Sequence, residues 1–191
     1  MERKQPRTKV DYNKIHIDNL DDYIQLFYEE DVNQKLMGAQ SVLYLCLSSE
    51  NMEIMLDHET LFGTVSRTLR DDFKKSIELS LYLLNIFQAY SNYTQFHQFL
   101  LSNQIGDTTI KIIDHEIKRY VVRINEFKSK SEKQQQMMNS PDYEEYAKDL
   151  KKEEKKLIQI VKKQEKVLFV AFHLLLNLSE DLQIERKMKN R

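Results

Sequence analysis

The sequence predicts an all-α chain, and three observations lead there. Glycine and proline are scarce, three and two in 191 residues, whereas strand-and-turn proteins need many more of both. Apolar residues recur every three or four positions, the period of one helix face. Three long apolar segments also end alike, in Leu43-Tyr44-Leu45-Cys46-Leu47-Ser48, Ile86-Phe87-Gln88-Ala89-Tyr90-Ser91 and Leu174-Leu175-Leu176-Asn177-Leu178-Ser179. Each closes on a Ser in a capping position, before a short polar stretch that starts another helix.

The spacing of these endings is an internal repeat. Leu47 and Tyr90 stand 43 residues apart, and Tyr90 and Leu178 stand 88 apart, one period plus an excess of 45. A period of about 40 to 47 residues with two or three helices per unit is that of armadillo and HEAT repeats. Short helices cannot bury their apolar faces alone, so such units stack and share a continuous core. The fold class expected is therefore an armadillo-type right-handed α-solenoid carrying a long charged helical-hairpin insertion. Residues 1–17 are expected as a basic, disordered tail, with Arg3, Lys4, Arg7, Lys9 and Lys14 against only Glu2 and Asp11. Residues 18–191 are expected as the repeats, with the insertion at about 124–156 and the last repeat truncated.

Taken in order, residues 19–28 read as an amphipathic helix through Leu20, Tyr23, Ile24 and Phe27. Residues 32–47 form a long apolar helix and 50–56 a short one. Residues 60–70 carry Leu61, Phe62, Val65 and Leu69 on one face. Residues 72–90 make the second long helix and 93–101 a short one. Asp107 reads as the N-cap of a helix with apolar positions Ile110, Ile113, Ile117, Val121 and Ile124. Pro141, followed by Asp142, Glu144 and Glu145, reads as the first turn of a helix running to Leu178. The loop between these two helices is expected near residues 129–140, and an antiparallel pair over 107–178 should project from the repeats. Residues 180–189 read as the first short helix of a next unit.

Composition bounds the function. Hydrophobic residues make up 41% and charged residues 31%, with nine Phe and ten Tyr, enough apolar material for one domain with a sizeable core. A formal charge of −1 provides no global field for nucleic acid or an anionic membrane. The lone Cys46 cannot form an internal disulfide and points to a reducing compartment. The N-terminal residues lack the apolar core of a signal peptide. The longest apolar stretch, 167–178, is interrupted by His173 and Asn177 and is too short to span a bilayer. A soluble intracellular chain is expected.

No catalytic signature stands out, and no cofactor is implied. Gly38, Gly63 and Gly106 are isolated, so no phosphate-binding loop can form. The triplets Asp57-His58-Glu59 and Asp114-His115-Glu116 point their side chains in different directions on a helix and cannot chelate one ion. An enzyme on a helical solenoid is the weakest reading. A better candidate is a groove lined by one face of each long helix. Aligning the repeats places Lys35, Ala39, Val42 and Cys46 on the first, Glu78, Tyr82, Asn85 and Ala89 on the second, and Lys166, Val170, His173 and Asn177 on the third. The polar members Lys35, Glu78, Tyr82, Asn85, Lys166, His173 and Asn177 are the candidate partner-binding residues. Asn177 occupies the position from which armadillo repeats hydrogen-bond an extended peptide. Cys46 and Ala89 stand at its equivalents, so no regular asparagine ladder runs along the groove.

Several stretches resemble the kinesin-associated protein family, the non-motor accessory subunits of heterotrimeric kinesin. They are Leu69-Arg70-Asp71-Asp72-Phe73-Lys74-Lys75-Ser76-Ile77-Glu78-Leu79, Tyr93-Thr94-Gln95-Phe96-His97 and Ile112-Ile113-Asp114-His115-Glu116-Ile117-Lys118-Arg119. After the divergent insertion the resemblance resumes at Lys163-Gln164-Glu165 and runs through Leu174–Asp181 to Lys187-Met188-Lys189-Asn190. Phe73 stands where the family usually has Trp. The resemblance implies a non-enzymatic adaptor that binds the tail regions of two different motor chains and cargo adaptor proteins, as part of a hetero-oligomer. It implies a cytoplasmic, microtubule-associated protein that also serves the transport trains of cilia. Apart from the resemblance, a generic armadillo peptide-binding scaffold unrelated to kinesin is the competing reading.

Overall fold

A computed structural model describes residues 10–58 and 60–179. The expected short helix at 180–189 and the tail residues 1–9 lie outside the described residues. Eight α-helices are present among those described, with no strand: α1 Leu20–Gln25, α2 Val32–Leu45, α3 Ser49–Leu56, α4 Leu61–Asp72, α5 Ile77–Ser91, α6 His97–Ser102, α7 Ile105–Gln136 and α8 Tyr143–Ser179. Short 3-10 turns flank them at Tyr12–Lys14, Ile17–Asn19, Leu26–Tyr28 and Thr94–Phe96.

Two rows of helices share one core. The long helices α2, α5 and α8 lie side by side with α5 in the middle, and α1, α4 and α7 pack behind them. The long helices run parallel. Glu78 at the start of α5 pairs with Lys163 of α8, and Asn177 near the end of α8 reaches Ser91 at the end of α5. An all-helical two-row layout of this kind is compatible with an α-solenoid. The central helix is the most enclosed. Leu79, Leu83, Leu84, Ile86, Phe87 and Tyr90 are all fully buried. Behind them an aromatic cluster ties α4, α5 and α6 together: Tyr90 stacks on Phe96 at 4.6 Å, and Phe62 on Tyr90 at 4.7 Å.

Polar ties set the register where the apolar contacts end. Asp72, buried at the end of α4, lies between the ammonium groups of Lys35 on α2 and Lys75 in the following turn. Burial works against its ionisation, but the two lysines outweigh it and hold the carboxyl below its ordinary range. His58 after α3 meets Asp21 of α1 at 3.0 Å, which ties the end of α3 to α1. Gly38 permits a close approach, because a Cβ at that position would stand 2.8 Å from the Tyr23 carbonyl oxygen.

Several element boundaries differ from the sequence reading. The second long helix begins at Ile77, after a break at residues 73–76, because Ser76 accepts a hydrogen bond from the Leu79 N–H at 3.2 Å and caps α5 there. Asp72 instead ends α4. Helix α7 begins at Ile105, with Gln104 at φ 54° as its cap, which places Asp107 inside the first turn. Residues 10–17, expected within the disordered tail, form a packed leg: Ile15 is buried, and Tyr12 lies 5.3 Å from the Tyr44 ring.

An antiparallel pair is present as α7 and α8. Its turn falls at residues 137–142, because the stretch from Lys128 to Gln136 contains no Gly or Pro and stays helical. Helix α8 starts after Pro141, with the Ser140 hydroxyl accepting from the Asp142 N–H at 3.3 Å. At the root of the pair, Gln164 donates to the buried Glu116 carboxylate at 2.6 Å, and Arg119 meets the same carboxylate at 3.2 Å. Beyond the root, Lys130 pairs with Glu153 at 2.7 Å and the Tyr146 hydroxyl donates to the Lys130 carbonyl at 3.1 Å. The charged run at 151–156 is exposed.

Candidate partner-binding groove

Three parallel helices leave a trough along their shared face. Its larger compartment, about 570 Å³, lies between Leu36, Met37 and Gln40 of α2, Leu81 and Tyr82 of α5, and Lys163 and Lys166 of α8. Val10 and Tyr12 of the N-terminal leg also line it. A second compartment of about 560 Å³ continues between α5 and α8, past Asn85, Lys162, Glu165 and Phe169. Leu81 and Lys166 belong to both compartments. The walls are apolar and aromatic with a few polar heads, the composition of a surface that holds a side-chain-bearing segment.

The expected site residues fall into two groups. Glu78, Tyr82 and Lys166 meet in the first compartment, and Asn85 joins Lys166 in the second. The other three go elsewhere. Lys35 turns inward to Asp72. His173 is exposed and stacks on Phe169 at 4.8 Å. Asn177 donates to Ser91 Oγ at 2.9 Å and Asn92 Oδ1 at 3.0 Å, which joins the ends of α5 and α8. On α2 the aligned face Ala39, Val42 and Cys46 is the buried one, and the groove face, with Leu36, Met37 and Gln40, lies one step around the helix. Sequence reasoning missed Lys163, whose signal is its partner: Glu78 Oε1 accepts from Lys163 Nζ across 85 residues of sequence, a separation that leaves no local mark.

The family model described as "Kinesin-associated protein (KAP)" matches residues 2–191. The chain belongs to this family. It is a kinesin-associated, non-enzymatic accessory family, and an adaptor role comes with membership. No solved structure matches the chain. Burial pushes the Cys46 thiol up to about 12, so it stays protonated and inert at neutral pH. Among the described residues no group of three His, Cys, Asp or Glu side chains could hold a metal ion, and no helix is long and apolar enough to cross a membrane.

Proposed function

We propose that this chain is an armadillo-type adaptor that binds the tails of heterotrimeric kinesin motor chains and links them to cargo. The observation that carries this reading is the family match over residues 2–191. The layout supports it: three parallel long helices form a continuous trough with Glu78, Tyr82, Asn85 and Lys166 along it. In this reading residues 18–191 form one repeat array, and 124–156 is an insertion that lengthens α7 and α8. The motor supplies ATP hydrolysis and the microtubule contact, and this chain supplies a binding face within a hetero-oligomer. The site of action is the cytoplasm along microtubules, including the microtubules of cilia.

The test is co-purification of the full chain with tail fragments of two different kinesin motor chains. Capture of both tails, weakened by Tyr82→Ala combined with Leu36→Ala while the melting temperature holds, supports the reading. Absence of capture, or capture indifferent to the groove substitutions, refutes the role assigned to the groove.

A further inference from the structure

We propose that Ser140, in the turn between α7 and α8, is a phosphorylation site for a proline-directed serine/threonine kinase. The site stands apart from the groove and does not depend on what the groove binds.

Sequence and structure single out the same residue. Of all the serines and threonines, Ser140 alone is followed by a proline. It lies in the turn at residues 137–142, outside both long helices. Other hydroxyls are less available. Ser41, Ser66, Ser80 and Thr109 are buried, and Ser129 and Ser131 lie within α7. A kinase takes its acceptor as an extended segment in a cleft, so a residue held in a helix is a poor substrate. Exposed turns are open to modifying enzymes for the same reason that they are open to proteases.

The turn can open at little cost. Met138, Asn139, Pro141 and Asp142 are exposed and Ser140 is partly so, so opening breaks little apolar contact. Two backbone bonds hold it, from the Ser140 N–H to the Met137 carbonyl at 2.8 Å and from the Tyr143 N–H to the Ser140 carbonyl at 3.1 Å. The Ser140 hydroxyl accepts from the Asp142 N–H at 3.3 Å, and its oxygen keeps a second lone pair for attack. A residue before proline favours extended backbone, the form a kinase cleft receives. Proline's missing N–H suits an apolar pocket that offers no acceptor. Asp142, Glu144 and Glu145 follow the acceptor. They disfavour kinases that select basic residues there and leave the mitogen-activated class, for which the proline suffices.

In the transfer, Ser140 Oγ attacks the γ-phosphorus of magnesium ATP. The bond to the ADP oxygen breaks, and the hydroxyl proton passes to the kinase's catalytic aspartate. The phosphate adds a charge of about −2 to a stretch that already carries Asp142, Glu144 and Glu145. The N–H groups at the start of α8 favour that charge, and the three acids oppose it. Apart from Leu150, the buried residues of α8 begin at Gln164, ~31 Å along the helix from Tyr143. The modification is therefore a reversible change of charge at the turn that leaves the packing of the body intact.

The experiment incubates the full chain with a mitogen-activated protein kinase and magnesium ATP and locates the phosphate by tandem mass spectrometry. Phosphate should appear on Ser140. Ser140→Ala should abolish that product and Ser140→Thr should retain it. Pro141→Ala should slow the reaction about tenfold or more, the effect of losing one subsite contact. The native chain should react within about tenfold of a free peptide of residues 134–146, because the turn opens readily. The melting temperature should be the same before and after modification. No phosphate on Ser140, or a rate indifferent to Pro141→Ala, overturns the proposal. Reaction of the peptide but not of the native chain also overturns it, because the turn would then be closed to the kinase. A basic-selective kinase that labels Ser140 faster refutes the assigned class.

Discussion

The body and the distal half of the α7–α8 pair are equally helical but held together differently. In α5, six side chains are fully buried. Between residues 117 and 163, Leu150 is the only buried residue among those described. The body is stabilised by apolar area removed from water. The distal pair depends on helix propensity, a thin apolar seam and solvated ion pairs, each a weak contribution. Identical secondary structure therefore conceals two levels of stability, and the lower one sits where the chain projects into water.

The sharpest way to break this comparison is to truncate one leucine in each region. Leu83→Ala should cost about 3–4 kcal/mol, the range for a fully enclosed leucine. Leu157→Ala, half-buried in the distal pair, should cost less, about 1 kcal/mol. Chemical denaturation at neutral pH reads both. Similar penalties would show that the distal pair shares the body's core.

Asp72→Asn comes next, at about 3 kcal/mol, because it removes a buried carboxylate and leaves Lys35 largely enclosed without its partner. The pH dependence fixes the sign. The folded carboxyl titrates below the ordinary carboxylate value, with burial opposing ionisation but outweighed by Lys35 and Lys75. Its contribution is complete above about pH 4 and fades as pH falls through the lowered folded value. The gap between wild type and variant should narrow over that window, measured by denaturation midpoints from pH 7 to pH 2.

Gly38→Ala should cost about 2 kcal/mol, since the new methyl would press on the Tyr23 carbonyl, a backbone atom that cannot swing away. Thermal melting checks it. The smallest effect belongs to the distal pair. Ala147→Gly should cost about 1 kcal/mol of local helix stability. Amide exchange should quicken over residues 143–163 while α5 stays protected. Equal loosening of α5 would mean that the two regions unfold as one.

Helix positions were legible in sequence because the apolar spacing of α2, α3, α4 and α8 agrees with their burial. Boundaries set by single side chains were not. The break before α5 depends on Ser76 capping and on Asp72 being held by lysines from two elements, and neither partnership has a local pattern. The groove was partly legible. Repeat alignment found Glu78, Tyr82, Asn85 and Lys166, because α5 and α8 keep the register implied by the repeat. It misplaced Lys35, because a shift of one residue turns a helix face by 100°, and the small buried residues Ala39 and Val42 decide which face of α2 goes inward. Asn177 was read as a ligand contact, but its hydrogen bonds close the end of the α5–α8 joint.

Helix α8 runs through both regions without interruption. Its 37 residues span ~56 Å with no interior Gly or Pro to act as a hinge. About 31 Å of that length lies beyond the Glu116–Gln164 contact. Mechanically it is a lever whose fulcrum is that buried carboxylate and amide. A sideways load on the tip is carried as torque into the α5–α8 contact beside the groove, and the stiffness of one continuous helix decides how much of it arrives there.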